Sequence, residues 1–109
     1  MSEEIVNKEN ETEIIKVRSV TDVRQLSGSI INSYTKNQAK IESSNNEVKE
    51  IPIILRTIGA GALNQAVKGA ISSNAYFGKL GQKVALIPSF ISLDVNTTAV
   101  ELKIEIRKI

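Results

Sequence analysis

Two kinds of residue in this chain could do chemistry: glycines that free backbone N–H groups, and basic side chains. Gly59-Ala60-Gly61 separates an apolar strand pattern, Ile53–Ile58, from a helical pattern that begins at Leu63. The first turn of a helix has N–H groups without intrahelical partners, and its dipole favours an anion. The segment therefore predicts a phosphate-holding turn at Gly59, Ala60 and Gly61, with Asn64 beside it.

The basic residues expected near this turn are Lys16, Arg18, Arg24, Arg56 and Lys68. The first two strand-to-helix turns can lie at one end of the sheet. These side chains would then form a phosphate-binding surface beside two helix N-termini. The other interpretation is a scatter of solvated surface charges. Aromatic residues are only 4% of the chain, so few side chains can stack on bases, and recognition would be of the backbone.

The sequence poorly matches the motifs that form a nucleotide-binding pocket. The dinucleotide motif needs a third small residue at position 64, where Asn64 stands, and an acid about twenty residues further on. No Asp or Glu occurs between Glu50 and Asp94, and Gly78-Lys79 is followed by Leu80 instead of the Ser or Thr of a phosphate loop. A small anionic ligand at the glycine turn stays open as a third possibility.

Composition argues against catalysis. The chain has no cysteine and no histidine, which removes thiolate sites, the commonest general base and the commonest metal ligand. The serines show no activating base, and Lys68 is more simply a surface lysine. We expect no enzyme activity, no cofactor and no metal.

Charge is unevenly distributed along the chain. Residues 1–13 carry a net charge of −4 and the remainder carries +6. The composition predicts a disordered acidic tail, residues 1–12, and one domain, residues 13–109. No apolar run is long enough to cross a bilayer, and the acidic start does not resemble a signal peptide. We therefore expect a cytoplasmic protein.

The periodicity predicts an α+β two-layer sandwich of order β-α-β-α-β-β, with a mixed four-stranded sheet and two helices on one face. Gly28 lies inside the first predicted helix, where we expect a close backbone approach to offset its cost. Pro88 predicts an edge strand or a bulge. The last strand alternates strictly and should have one buried and one wet face. The expected elements are strands at 13–18, 51–58, 83–93 and 100–106, and helices from 23 and over 61–75.

One family resemblance covers roughly Ile14–Arg107. Its most specific part is IGAGALNQAVK, Ile58–Lys68, and it continues in Ile87-Pro88-Ser89-Phe90. These segments resemble the stage V sporulation protein S (SpoVS) family, which is similar to the Alba family. The resemblance implies the Alba-like fold, a homodimer, and a regulatory protein of sporulation or development with suspected DNA binding. By position, the Alba nucleic-acid surface would map to Lys16 and Arg18, to the glycine turn, and to the hairpin 94–98.

Our leading hypothesis is a homodimeric protein that binds nucleic acid, DNA or RNA, through phosphates without strong sequence specificity. The alternative is a protein–protein regulatory module that does not touch nucleic acid. The neutral Gly59–Gly61 turn and the hairpin 94–98, which has no Lys or Arg, favour this alternative.

Overall fold

The structure, a computed structural model, describes residues 12–45 and 47–109. It confirms the predicted element order and fold class. The predicted disordered tail lies outside the described residues, except for Thr12. The elements are β1 (Glu13–Val17), α1 (Val23–Ser43), β2 (Ile53–Thr57), α2 (Ala60–Gly78), β3 (Gln82–Asp94) and β4 (Thr97–Lys108).

The four strands form one mixed sheet in the order β1-β2-β4-β3. β1 and β2 pair in parallel, and β4 is antiparallel to both β2 and β3. A parallel pair needs a crossover connection, and α1 provides it. Because β1 and β2 run the same way, their strand-to-helix turns lie at the same end of the sheet, as predicted.

The core lies between one face of the sheet and both helices. Leu26 and Ile30 of α1 and Phe77 of α2 share one buried cluster with strand residues such as Leu55 and Leu102. The rings of Tyr34 and Phe77 meet edge to face, with centroids 5.2 Å apart. Apolar residues at every second strand position and along one stripe of each helix therefore meet in a single layer.

In the second half of the chain, one expectation needs adjustment and another is confirmed. The periodicity predicts that α2 ends at Ala75, yet the helix continues to Gly78, because Phe77 is fully buried in the core. β3 is an edge strand, which confirms one of the two options that Pro88 left open. The irregularity in the β3–β4 pairing lies between Ser92 and Asp94 instead of at the proline.

The close helix–helix approach is made by a different glycine from the one expected. A Cβ added to Gly28 of α1 would meet nothing within 4 Å, so the approach expected there is wrong. A Cβ on Gly69 of α2 would lie 2.5 Å from the Cδ2 atom of Leu26. Gly69 is therefore the residue that lets α2 pack against α1.

These two glycines give a matched pair of substitutions. We expect Gly69→Ala to lower the free energy of unfolding by about 1–3 kcal/mol, because the methyl group overpacks against Leu26. Gly28→Ala should raise it by up to about 1 kcal/mol, because alanine favours the helix and finds open space. Urea denaturation of both variants measures the difference. Equal effects of the two substitutions would contradict this account of the helix contact.

Candidate functional site

A cleft of about 570 Å³ opens at the end of the sheet where β1 and β2 finish. Lys16 and Arg56 are direct partners in the parallel β1–β2 pairing, so their side chains leave the same face of the sheet, the face opposite the helices. Arg18 follows immediately after β1. The structure thus brings together three of the five predicted basic residues. The residues lining the cleft are Lys16, Val17, Arg18, Ser19, Arg56, Ile58 and Leu93.

Arg56 is the least available cation of the three. Its Nε–H donates to Glu101 Oε2 at 2.6 Å, and the two side chains are only 23% and 12% exposed. Glu101 stands beside Arg56 in the antiparallel β2–β4 pairing. This ion pair also corrects the expectation of a uniformly wet face on β4. Part of the charge of Arg56 is compensated inside the protein.

Lys16 and Arg18 are the two cations of the cleft without a counter-charge among the residues that the structure describes. Neither side chain forms an ion pair with any residue in the ranges 12–45 and 47–109. Both residues are exposed. An anion approaching the cleft would meet these two side chains before it reached the partly buried Arg56.

The loop that carries Arg18 is fixed against α2. The Arg18 N–H donates to Thr21 Oγ1 at 2.7 Å, and Gln65 Nε2 donates to the Thr21 carbonyl at 2.8 Å. A Cβ on Gly61 would lie 2.9 Å from the Cβ of Ser19. Gly61 is therefore required for a close contact between the first turn of α2 and the loop after β1. This contact sets where Arg18 stands relative to the glycine turn.

The two helix N-termini differ, although the sequence predicts that both face the anion. At α1 the Asp22 carboxylate caps the helix and accepts the Gln25 N–H at 2.9 Å, so a negative charge already occupies that end. At α2 the N-cap is Gly59, with φ of 91°, and no side chain from the described residues caps it. Of these two helix ends, that of α2 lacks a carboxylate cap from the described residues, and it begins directly after Ile58, which lines the cleft.

Several predicted residues lie outside the cleft. Arg24 is exposed in the first turn of α1, and Asn64 and Lys68 are exposed on α2. The predicted turn Gly59, Ala60 and Gly61 is also not part of the cleft lining, although it follows Ile58 directly and Gly61 contacts Ser19.

Conversely, sequence reasoning missed Ile58 and Leu93. Ile58 follows β2 directly and is exposed. Its position immediately before the glycine turn is the sequence signal that could have pointed to it. Leu93 lies on the far edge strand, and nothing in the sequence near Lys16 points to it.

The hairpin between β3 and β4 has no basic arm. Its turn consists of Val95 and Asn96. Asp94 accepts the Asn96 N–H at 2.8 Å, and hydrogen bonds from Asn96 and from Thr97 lower the pKa of Asp94. The carboxylate is therefore charged at neutral pH, and the tip presents a negative charge next to the exposed Val95. The hairpin does not supply a cation to a phosphate.

A second cavity, of about 260 Å³, lies at the opposite end of the sheet beside Tyr34, Ile51 and Ile104. Asn37 is buried in its wall and donates from Nδ2 to the Ile51 carbonyl at 3.4 Å. Its Oδ1 has no partner among the residues of the described ranges. None of the predicted site residues lies at this cavity.

A comparison with known protein families tests the resemblance seen in the sequence. The family model for stage V sporulation protein S matches residues 13–107, nearly the whole domain. The chain belongs to the SpoVS family. This confirms the family identified from Ile58–Lys68, and the fold observed is the Alba-like order expected with it. A search of curated proteins found no match to this chain.

SpoVS membership implies a sporulation-related regulatory role. The family does not by itself name a ligand or a partner, so the chemistry of the cleft has to be argued from its residues. Among the described residues, no helix combines the length and apolar character needed to cross a membrane.

The Gly61–Ser19 contact can be tested by a double-mutant cycle. We expect Gly61→Ala to destabilise the SpoVS domain by about 1–3 kcal/mol, because two Cβ atoms 2.9 Å apart must separate. In a Ser19→Gly background the same substitution should cost clearly less, because the opposing Cβ is gone. Thermal or urea unfolding of the four proteins measures the coupling. Strict additivity would show that this contact does not hold the loop.

Proposed function

We propose that this SpoVS protein binds nucleic acid through the phosphate backbone, without strong sequence specificity, as part of its regulatory role. The observation that carries the proposal is the pair of exposed cations Lys16 and Arg18, which form no ion pair with the residues that the structure describes and lie at the cleft near the start of α2. A polyanion releases counterions when such side chains neutralise its phosphates, and this drives association. Arg24, Asn64 and Lys68 extend this surface over the helices without belonging to the cleft.

The balance of charge over the chain supports the same partner. The net charge of +6 outside residues 1–13 favours association with a polyanion. Within the cleft, Arg56 contributes less than its charge suggests, because Glu101 holds its Nε–H. The guanidinium keeps its other N–H donors and can add a contact once Lys16 and Arg18 have drawn a phosphate in.

Neutralising the two free cations tests the proposal. We expect Lys16→Gln with Arg18→Gln to weaken binding of labelled DNA, single- or double-stranded, in fluorescence anisotropy across a salt series. The slope of log affinity against log salt should become shallower for every phosphate that the variant no longer neutralises. The expected change is about 0.9 for each duplex phosphate and about 0.7 for each single-strand phosphate.

The matched control is Lys79→Gln with Lys83→Gln, which removes the same charge at the opposite end of the sheet. Both lysines are exposed. The proposal is wrong if the two double variants lose affinity equally. It is also wrong if the folded wild-type protein binds neither form of DNA at low salt.

We also propose that the protein is a homodimer, as its resemblance to Alba proteins implies. The support comes from the edge strand β3, whose Phe90 side chain is 81% exposed next to the exposed Pro88. A long edge strand has backbone groups without a neighbouring strand, and a large exposed aromatic is typical of a contact surface.

Light scattering coupled to size-exclusion chromatography tests the dimer. We expect the mass of two chains for the wild type, and Phe90→Glu should shift the protein towards one chain because it introduces a charge into an apolar contact. Asn32→Glu, at an exposed position on α1, is the control and should leave the mass unchanged. A wild-type protein that elutes as a single chain at tens of micromolar would rule out this dimer.

A second candidate function is a protein–protein regulatory module. The exposed Phe90 and Val95 favour it, because they are large apolar side chains on the β3–β4 hairpin, whose tip carries the Asp94 carboxylate and no cation. The salt series separates the two candidates. If the folded protein does not bind DNA at low salt, the result would favour a protein–protein contact through the β3–β4 hairpin.

A further inference from the structure

The walls of the cleft come from the two outer strands of the sheet. Lys16 and Arg18 belong to β1 and the residue after it, whereas Leu93 belongs to β3. β2 and β4 lie between these two strands, so the lining residues span three strand spacings of the sheet, about 14 Å in all.

A double helix is wider than this span, so it would lie across this end of the sheet with its bases stacked inside. The major groove of B-DNA alone is about 12 Å wide, and the full duplex adds both backbones to that width. A duplex could touch only the rim, at the tips of Lys16 and Arg18. A single strand has the dimensions to lie between the walls. The volume of about 570 Å³ falls within the range of roughly 300–1,000 Å³ that accommodates groups the size of a nucleotide.

The chemistry of the cleft also differs from one side to the other. The β1 side carries Lys16 and Arg18, whereas Ile58 after β2 and Leu93 of β3 are apolar and 57% and 40% exposed. Arg56, between them and Lys16, is held by Glu101. An unpaired nucleotide has the same division into an anionic phosphate and a flat, weakly polar base. In a duplex the base faces are stacked on one another and cannot contact these side chains. In a single strand they are free to do so.

We propose that this cleft accepts single-stranded nucleic acid, with a phosphate at Lys16 and Arg18 and the adjacent base against Ile58 and Leu93. The inference rests on the proposed nucleic-acid binding and specifies the form of the nucleic acid at the same site. The apolar residues read no sequence, because every base has an apolar face. We therefore expect the protein to prefer single-stranded over double-stranded nucleic acid, with no preference for a particular sequence.

The test compares a labelled 12-nucleotide oligothymidylate with a 12-base-pair duplex at one low salt concentration. We expect the wild type to bind the single strand about tenfold more tightly than the duplex. Ile58→Thr with Leu93→Thr should weaken single-strand binding about fivefold or more and leave duplex binding unchanged. Lys16→Gln with Arg18→Gln should weaken both.

The control variant is Leu80→Thr with Ile87→Thr. Leu80 and Ile87 are 57% and 41% exposed, which matches the two cleft residues, and neither lines the cleft. Circular dichroism and unfolding curves establish that all variants are folded. The control should bind both oligonucleotides as the wild type does.

The possible failures are distinguishable. Duplex binding as tight as single-strand binding, or equal losses of affinity in the cleft and control variants, would overturn the single-strand assignment while phosphate binding stands. Binding of neither oligonucleotide by the folded wild type would overturn both this inference and the proposed function.

Discussion

The parallel pairing of β1 with β2 is the constraint on which the rest of the site depends. It places the turns after both strands at one end of the sheet, and its register puts Lys16 directly beside Arg56. An antiparallel pairing would have sent the Arg18 loop and the glycine turn to opposite ends. The contact between Gly61 and Ser19 then fixes the distance between the Arg18 loop and the first turn of α2, because Gly61 has no side chain to hold the two apart.

The positive charge at the end of the sheet where the cleft opens is only partly neutralised. Glu101 holds Arg56, and Asp22 occupies the N-terminus of α1, so two features that looked electropositive carry their own counter-charges. Among the described residues, the positive charge that remains at this end comes from Lys16 and Arg18 in the cleft and from Arg24 in the first turn of α1. Within the cleft itself, an anion is directed to Lys16 and Arg18.

The long β3–β4 hairpin gives the molecule its other surface. β4 is covered on both sides by strands, whereas β3 is an edge. Near the end of the hairpin, Leu93 turns towards the cleft and Phe90 remains exposed. One hairpin thus contributes to a basic cleft and to an apolar edge, and these two surfaces carry the two proposed interactions of this SpoVS protein.

The sequence by itself determined the order of the elements, their amphipathic faces, the glycine turn and the family. These features are local or periodic: alternation in β4, helical spacing in α1 and α2, and the ordered motif from Ile58 to Lys68 are all visible along the chain. Pro88 likewise indicated an edge strand or a bulge from its missing N–H alone.

Only the tertiary structure decided which distant residues meet. Leu93 lines the same cleft as Lys16, and Glu101 neutralises part of the charge of Arg56. The close contact between the helices is made at Gly69 and not at Gly28. Each of these contacts depends on strand order, register or helix rotation, which are set by how the whole core packs. No short segment of the chain contains that information.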